Sequence, residues 1–113
     1  MRIIYTRYNN EEFISNEIES IDEEILKNEN GVKWINFIGL EDDYLNYNIV
    51  GKFNLHKLVQ EDIIDLNQNP KLVDYEDYLF LIVKTTEFRD SELLTKQISF
   101  ILFKDKLISI NET

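Results

Sequence analysis

Alternation of apolar and polar residues is the main signal in this chain, and it predicts a strand-rich fold interrupted by helices. Runs rich in β-branched and aromatic residues predict strands at residues 2–8, 32–38, 72–75, 78–88, 94–103 and 107–111, with a weaker candidate at 12–18. A charged turn at residues 104–106 predicts a tight hairpin between the last two strands. This order of strands, helices and further strands indicates an α+β or mixed α/β fold, with helices packed on a mixed β-sheet.

Segments with helical spacing lie between the strands, at residues 20–27, 41–51 and 55–66. In the first, Ser20 and Glu23 form a candidate capping box, and residues 28–31 supply its stop. The second begins with three consecutive acidic residues, which suit the positive end of a helix dipole, and it ends near Gly51. The third ends before Pro70, because proline cannot continue a helix.

A carboxylate interrupts the apolar stripe of the third predicted helix. At about 100° per residue, Asp62 falls inside the arc of the apolar residues, and Glu61 and Asp65 fall on its edge. The arc consists of Leu55, Leu58, Val59, Ile63 and Leu66. A buried carboxylate without a partner costs several kcal/mol, so Asp62 needs a helix N–H group, a basic side chain or a cation. Spacing alone favours capping of a helical turn by Asp62; a metal or interface role and a salt bridge are the alternatives.

Other residues that could bind a ligand are better explained by packing or capping roles. His56, the only histidine, is predicted to pack or to cap a helix rather than to bind a ligand. Trp34 is predicted to lie in the core. The cluster of Tyr75, Tyr78 and Phe80 has no interleaved basic residues, so we expect packing rather than stacking on nucleic-acid bases.

The composition of the chain excludes several classes of function. The chain has 113 residues, 43% of them hydrophobic, which suits one domain with a core, and no apolar run approaches the roughly 18 residues of a membrane span. A formal net charge of −10 disfavours nucleic acids and anionic membranes. There is no cysteine and only one histidine, which excludes disulfides, thiolate chemistry and a histidine-rich zinc site. Without a nucleophile–base pair or a phosphate-binding glycine loop, we expect no enzymatic activity.

Six ordered segments resemble the cytoplasmic N-terminal domain of CorA-type magnesium channels. They are KWINFIGL at 33–40, FNLHKLVQEDI at 53–63, QNPK at 68–71, YEDYLFLIVK at 75–84, QISFIL at 97–102 and LISI at 107–110. The resemblance implies that residues 1–113 form a single truncated domain of this type, part of an α/β/α sandwich on the cytoplasmic side of the cell membrane. Residues 1–32 match only the variable leading elements of the family.

The resemblance also implies a regulatory Mg²⁺ site between the subunits of a homopentamer. In the family, divalent ions bind between neighbouring subunits and hold the channel closed. The matching segment makes Asp62 a ligand on one side, with Glu61 near a second site, and the stalk helix of the adjacent subunit supplies the partner carboxylate. Five sites, each at ten times its dissociation constant, would bias closure by about 7 kcal/mol. If a lysine or arginine of the same chain pairs with Asp62, its charge no longer requires a cation, and only the resemblance supports the Mg²⁺ site.

The resemblance therefore implies a divalent-cation-sensing domain. The stalk, membrane helices and pore signature of the family are not found in these residues, so we expect this piece not to conduct ions, to reach the membrane only through helices outside it, and to bind Mg²⁺ weakly or not at all by itself. A free-standing interaction module or truncated paralogue, and the equivalent domain of a related zinc transporter, are the alternatives. The coding sequence after residue 113 would separate the channel domain from the free-standing module.

Overall fold

A computed structural model describes residues 1–27, 31–41, 43 and 46–112. The elements in chain order are β1 (Arg2–Tyr8), β2 (Phe13–Ile18), α1 (Glu23–Leu26), β3 (Val32–Ile38), α2 (Asn46–Gly51, π-helical), α3 (Lys57–Ile64), β4 (Lys71–Asp74), β5 (Leu79–Arg89), β6 (Glu92–Leu102) and β7 (Lys106–Asn111). Two predictions fall partly outside the described residues: the helix stop at 28–31, of which residues 28–30 are not described, and the second helix, of which residues 42, 44 and 45 are not described. The weakly predicted strand at 12–18 is confirmed as β2.

All seven strands of the described residues form one sheet in the order β2-β1-β3-β7-β6-β5-β4. The pair β3–β7 is parallel and every other pair is antiparallel. The predicted mixed β-sheet with packed helices is therefore confirmed.

One face of the sheet carries the core. A continuous row of fully buried side chains crosses four central strands, from Ile35 on β3 through Ile108 and Ile101 to Phe80 on β5. The helices place buried residues on this row and its neighbours: Ile25 from α1, Ile49 from α2, and Val59 and Ile63 from α3. The period-two pattern of the strands thus selects one face, which the helices cover.

The opposite face is more exposed. Trp34, predicted to lie in the core, is 43% exposed on this face, so that prediction was wrong. Its indole N–H donates a hydrogen bond to the hydroxyl of Ser109 at 2.8 Å. Among the described residues, the packed helices contribute to the core of the other face only. The second helical layer of an α/β/α sandwich is therefore not part of the described residues.

The first helix is shorter than the sequence predicts. The cap of α1 is Asp22, whose Oδ1 accepts the N–H of Ile25 at 3.1 Å, so the predicted capping box at Ser20 was wrong. Asp22 stands directly before the first helical residue, and its carboxylate is a charged acceptor for that N–H group. At the other end, the buried Lys33 ammonium donates to the carbonyl oxygens of Ile25 and Lys27, which closes the helix.

His56 caps α3, as predicted. Its Nδ1 accepts the N–H of Leu58 at 3.1 Å, and its ring stacks on Tyr75 with the centroids 5.7 Å apart. We expect His56→Ala to lower the free energy of unfolding by about 1 kcal/mol, because one N–H group at the start of α3 loses its acceptor. Urea denaturation followed by circular dichroism measures this loss. His56→Asn is the control, because asparagine can cap without the ring: equal losses in both variants would assign the effect to stacking.

Among the residues that the structure describes, every helix is too short or too polar to span a lipid bilayer.

Candidate functional site

Asp62 lies in the last turn of α3 and forms a salt bridge within its own chain. Its Oδ2 accepts a hydrogen bond from the Nζ of Lys71 at 2.6 Å. Lys71 is the first residue of β4 and directly follows Pro70. The two side chains are 23% and 34% exposed, so the pair is partly screened by water and contributes at most about 1 kcal/mol to stability.

The position of Asp62 differs from the sequence prediction because α3 presents a different side to the core. Val59 and Ile63 are fully buried, whereas Leu58 is 50% exposed and Leu66 also faces solvent. The helix begins after residue 56 and ends at residue 64, so Leu66 lies beyond it and does not define its buried face. Asp62 therefore lies at the border of the core rather than within the buried stripe.

Asp62 has a partner without a cation, because one of the three groups that the sequence allowed is present. Of the partners considered, the structure supplies the basic side chain, and the N-cap of α3 is His56 rather than Asp62. Glu61 is exposed on the outer side of α3. Within the described residues, no group of three or more His, Cys, Asp or Glu side chains could hold a metal ion. The electrostatic argument for a cation at Asp62 therefore fails, and only one partly exposed carboxylate with an exposed neighbour remains.

Side chains from the sheet and the following loop bind the carbonyl groups at the end of α3. The Nε2 of Gln68 donates to the carbonyl oxygen of Asp62 at 2.6 Å. The buried Gln97 amide contacts the carbonyl oxygens of Asp62, Ile63 and Asp65 at 3.3–3.4 Å. These contacts satisfy acceptors that have no partner within the helix, and they fix the position of its last turn.

Lys84 extends this network from β5. Its Nζ donates to the Oε1 of Gln97 at 2.6 Å and to the carbonyl oxygen of Leu66 at 2.7 Å. Sequence reasoning missed Gln97, Lys84 and Lys71 as residues that position the site. The signal for Gln97 was available, because it shares the period-two face of the buried residues Ser99 and Ile101 on β6. A polar residue on a core-facing position indicates a hydrogen-bonding role.

An aromatic cluster borders the site at the start of α3. Tyr75 stacks on Tyr78 with ring centroids 5.1 Å apart, and the Tyr78 hydroxyl accepts the backbone N–H of His56 at 2.9 Å. Burial raises the pKa of the Tyr75 hydroxyl, the nearby Tyr78 and Asp62 raise it further, and Lys71 opposes them. Tyr75 is therefore neutral at physiological pH. The predicted packing role of this cluster is confirmed.

Sequence comparison identifies relatives of this chain. The family model described as CorA-like Mg²⁺ transporter protein matches residues 29–113. The cobalt/magnesium transport protein CorA of Thermotoga maritima is 30% identical over 103 residues, a match that takes in 89% of this chain and 29% of the relative. The chain thus spans less than a third of the length of that relative.

Solved structures share the fold. The complete CorA magnesium transporter from Methanocaldococcus jannaschii matches with a TM-score of 0.69 at 16% identity, over 97% of this chain and 32% of that one. The soluble domain of CorA from the same organism matches with a TM-score of 0.65 at 18% identity, over 96% of this chain and 39% of that one. The full-length CmaX protein matches with a TM-score of 0.73 at 9% identity, over 99% of this chain and 35% of that one. At these identities, the matches establish the fold alone.

Proposed function

This chain belongs to the CorA-like Mg²⁺ transporter family, and from that premise we propose that residues 1–113 are a single cytoplasmic, regulatory domain of a divalent-cation transporter. The observation that carries the proposal is that the chain matches the family model over residues 29–113 and adopts the fold of a CorA soluble domain over 96% of its length. The family is one of transporters, so we propose no catalysis. The relative from Thermotoga maritima is named for cobalt and magnesium, and we propose these as the transported ions.

We propose that Asp62, with Glu61 beside it, supplies one side of a regulatory Mg²⁺ site between subunits. Support comes from family membership and from position, since Asp62 is partly exposed and Glu61 is exposed at the surface of α3. Carboxylate oxygens suit Mg²⁺, which keeps several waters and needs only one or two such groups from the protein. The residues of this chain fit half of such a site, and a carboxylate of the neighbouring subunit would complete it.

The net charge supports a role for cations in assembly. Each copy carries a formal charge of −10, so the copies in a homopentamer would repel one another. A divalent ion between carboxylates of adjacent copies changes that local repulsion into attraction. The same charge disfavours nucleic acid as a partner. We propose that membrane attachment comes through helices outside these residues.

Asp62→Ala in the complete transporter tests this function. We expect the Mg²⁺ concentration that half-inhibits current to rise at least about tenfold, because each site loses a carboxylate ligand; this rise corresponds to a loss of about 1.4 kcal/mol of Mg²⁺ binding per site. The domain should stay folded, because the lost salt bridge is a partly exposed one. Patch-clamp recording at varied cytoplasmic Mg²⁺ measures the change.

Asp65→Ala is the matched control. Asp65 lies one turn further on, and its carboxylate accepts the N–H of Asn67 at 3.1 Å, so the substitution removes the same charge without touching Asp62. Unchanged Mg²⁺ inhibition in Asp62→Ala, or an equal shift in both variants, would contradict the proposed role of Asp62.

A further inference from the structure

We propose that Lys71 is a built-in competitor of the divalent cation at Asp62 and thereby sets the cation concentration at which the site fills. This inference rests on the proposed function, because it concerns the same carboxylate. The ammonium of Lys71 lies 2.6 Å from Oδ2 of Asp62 and makes a short, charge-assisted hydrogen bond to it. A divalent ion that binds this carboxylate must displace Lys71 or share the carboxylate with it.

The backbone on both sides of the salt bridge is fixed. Lys71 pairs with Ile82 at the start of β4, and Pro70 restricts the chain just before it. Asp62 is held by its carbonyl oxygen, which accepts hydrogen bonds from Gln68 and Gln97. The lysine can therefore leave only by rotation of its side chain, and its 34% exposure leaves water for the ammonium to enter. The competition can proceed by side-chain rotation alone.

The neighbouring charges make Lys71 the group that opposes cation binding here. Glu61 on α3 is exposed and attracts a cation, as Asp62 itself does. Lys71 is the basic side chain that contacts Asp62, and the Tyr75 hydroxyl nearby stays neutral. A partly exposed ion pair corresponds to at most about a fivefold change in an equilibrium constant. Repulsion between the ammonium and a dication adds to this, so removal of the ammonium should tighten cation binding about five- to tenfold.

Manganese titration of the 113-residue chain tests the proposal. Paramagnetic broadening of backbone amide signals around Asp62 in ¹H–¹⁵N spectra gives a dissociation constant for Mn²⁺ even when binding is weak. We expect Lys71→Gln to lower this constant about five- to tenfold relative to the unmodified chain. Lys71→Met should act in the same way, because it keeps the aliphatic stem and removes the ammonium. Lys71→Arg keeps the charge and pairs well with a carboxylate, so it should not lower the constant.

Lys104→Gln is the charge-matched control. Lys104 is exposed in the turn after β6, beside Phe103, which contacts Tyr78 at the opposite end of α3 from Asp62. The substitution changes net charge as Lys71→Gln does, and we expect it to leave the Mn²⁺ constant at Asp62 within about twofold. Equal tightening in Lys71→Gln and Lys104→Gln would overturn the proposal, because net charge alone would then explain it.

Asp62→Asn separates failure of this inference from failure of the proposed function. Broadening that persists around residue 62 in Asp62→Asn would show that Asp62 is not the ligand and would overturn both. Broadening that depends on Asp62 but is unaffected by Lys71→Gln would overturn only the competition. No broadening in any variant would overturn only the competition, because a freed carboxylate beside Glu61 should bind Mn²⁺ at millimolar concentration, whereas the proposed function concerns a site completed by a neighbouring subunit.

Discussion

Replacing Phe80 with alanine should lower the free energy of unfolding of this chain by about 3–5 kcal/mol. Phe80 is fully buried at the centre of the core face, where Ile101 on β6 and Val73 on β4 flank it across the strands. The substitution removes a ring from close-packed surroundings and leaves a cavity that rigid strands on both sides cannot close. Since domains of this size are stable by about 5–15 kcal/mol, the variant should lose a large share of its stability. Guanidinium denaturation followed by circular dichroism measures it.

Phe88→Ala is the control for this prediction. Phe88 stands eight residues further along β5, on the same face of the strand, but it is 74% exposed near the turn of the β5–β6 hairpin. Removal of the same ring there should change stability by less than about 0.5 kcal/mol. Similar losses in the two variants would mean that the hairpin end is as well packed as the centre of the sheet, contrary to the structure.

Gln97→Leu should destabilise the chain by about 2 kcal/mol. Leucine has a similar size, so the substitution leaves little cavity. It removes the amide that reaches the carbonyl oxygens of Asp62, Ile63 and Asp65 and that accepts from Lys84. These acceptors at the end of α3 then lose a buried donor, and their desolvation is no longer compensated. The same denaturation measurement, with ¹H–¹⁵N shifts of the last turn of α3, detects the loss.

Gln68→Leu is the matched control. It makes the same chemical change on a partly exposed glutamine that donates to the same carbonyl oxygen of Asp62. Water can replace that donor, so we expect a loss of less than about 1 kcal/mol. A Gln97→Leu variant as stable as the unmodified chain would mean that the buried amide does not hold α3. In that case, the fixed position of Asp62 would need another explanation.

Together these variants separate the fold from the site. Phe80 belongs to the apolar row that holds the sheet and helices together, and Gln97 belongs to the polar network that positions the last turn of α3. Asp62 and Lys71 lie on the partly exposed side of that turn. The charged groups proposed to respond to cations therefore sit on a rigid support and can exchange partners without disturbing the core.

The strands could be predicted from sequence because a strand needs only alternation between neighbouring residues, which is a local property. For the same reason, the cap at His56 could be predicted, since an N-cap acts on backbone groups two or three residues away. The length of a helix was harder to predict from sequence. The predicted helix at 20–27 shortens to Glu23–Leu26, because Asp22 provides a cap later than Ser20 and the buried Lys33 closes the other end from β3.

The sequence by itself determined the strand pattern and the family to which the chain belongs. Only the tertiary structure decided which side of α3 faces the core, that Trp34 stays exposed, and that Lys71 meets Asp62. The first set depends on backbone geometry and on order along the chain. The second depends on which groups other elements bring through space, and a carboxylate pairs with whichever positive charge the packed fold places within reach.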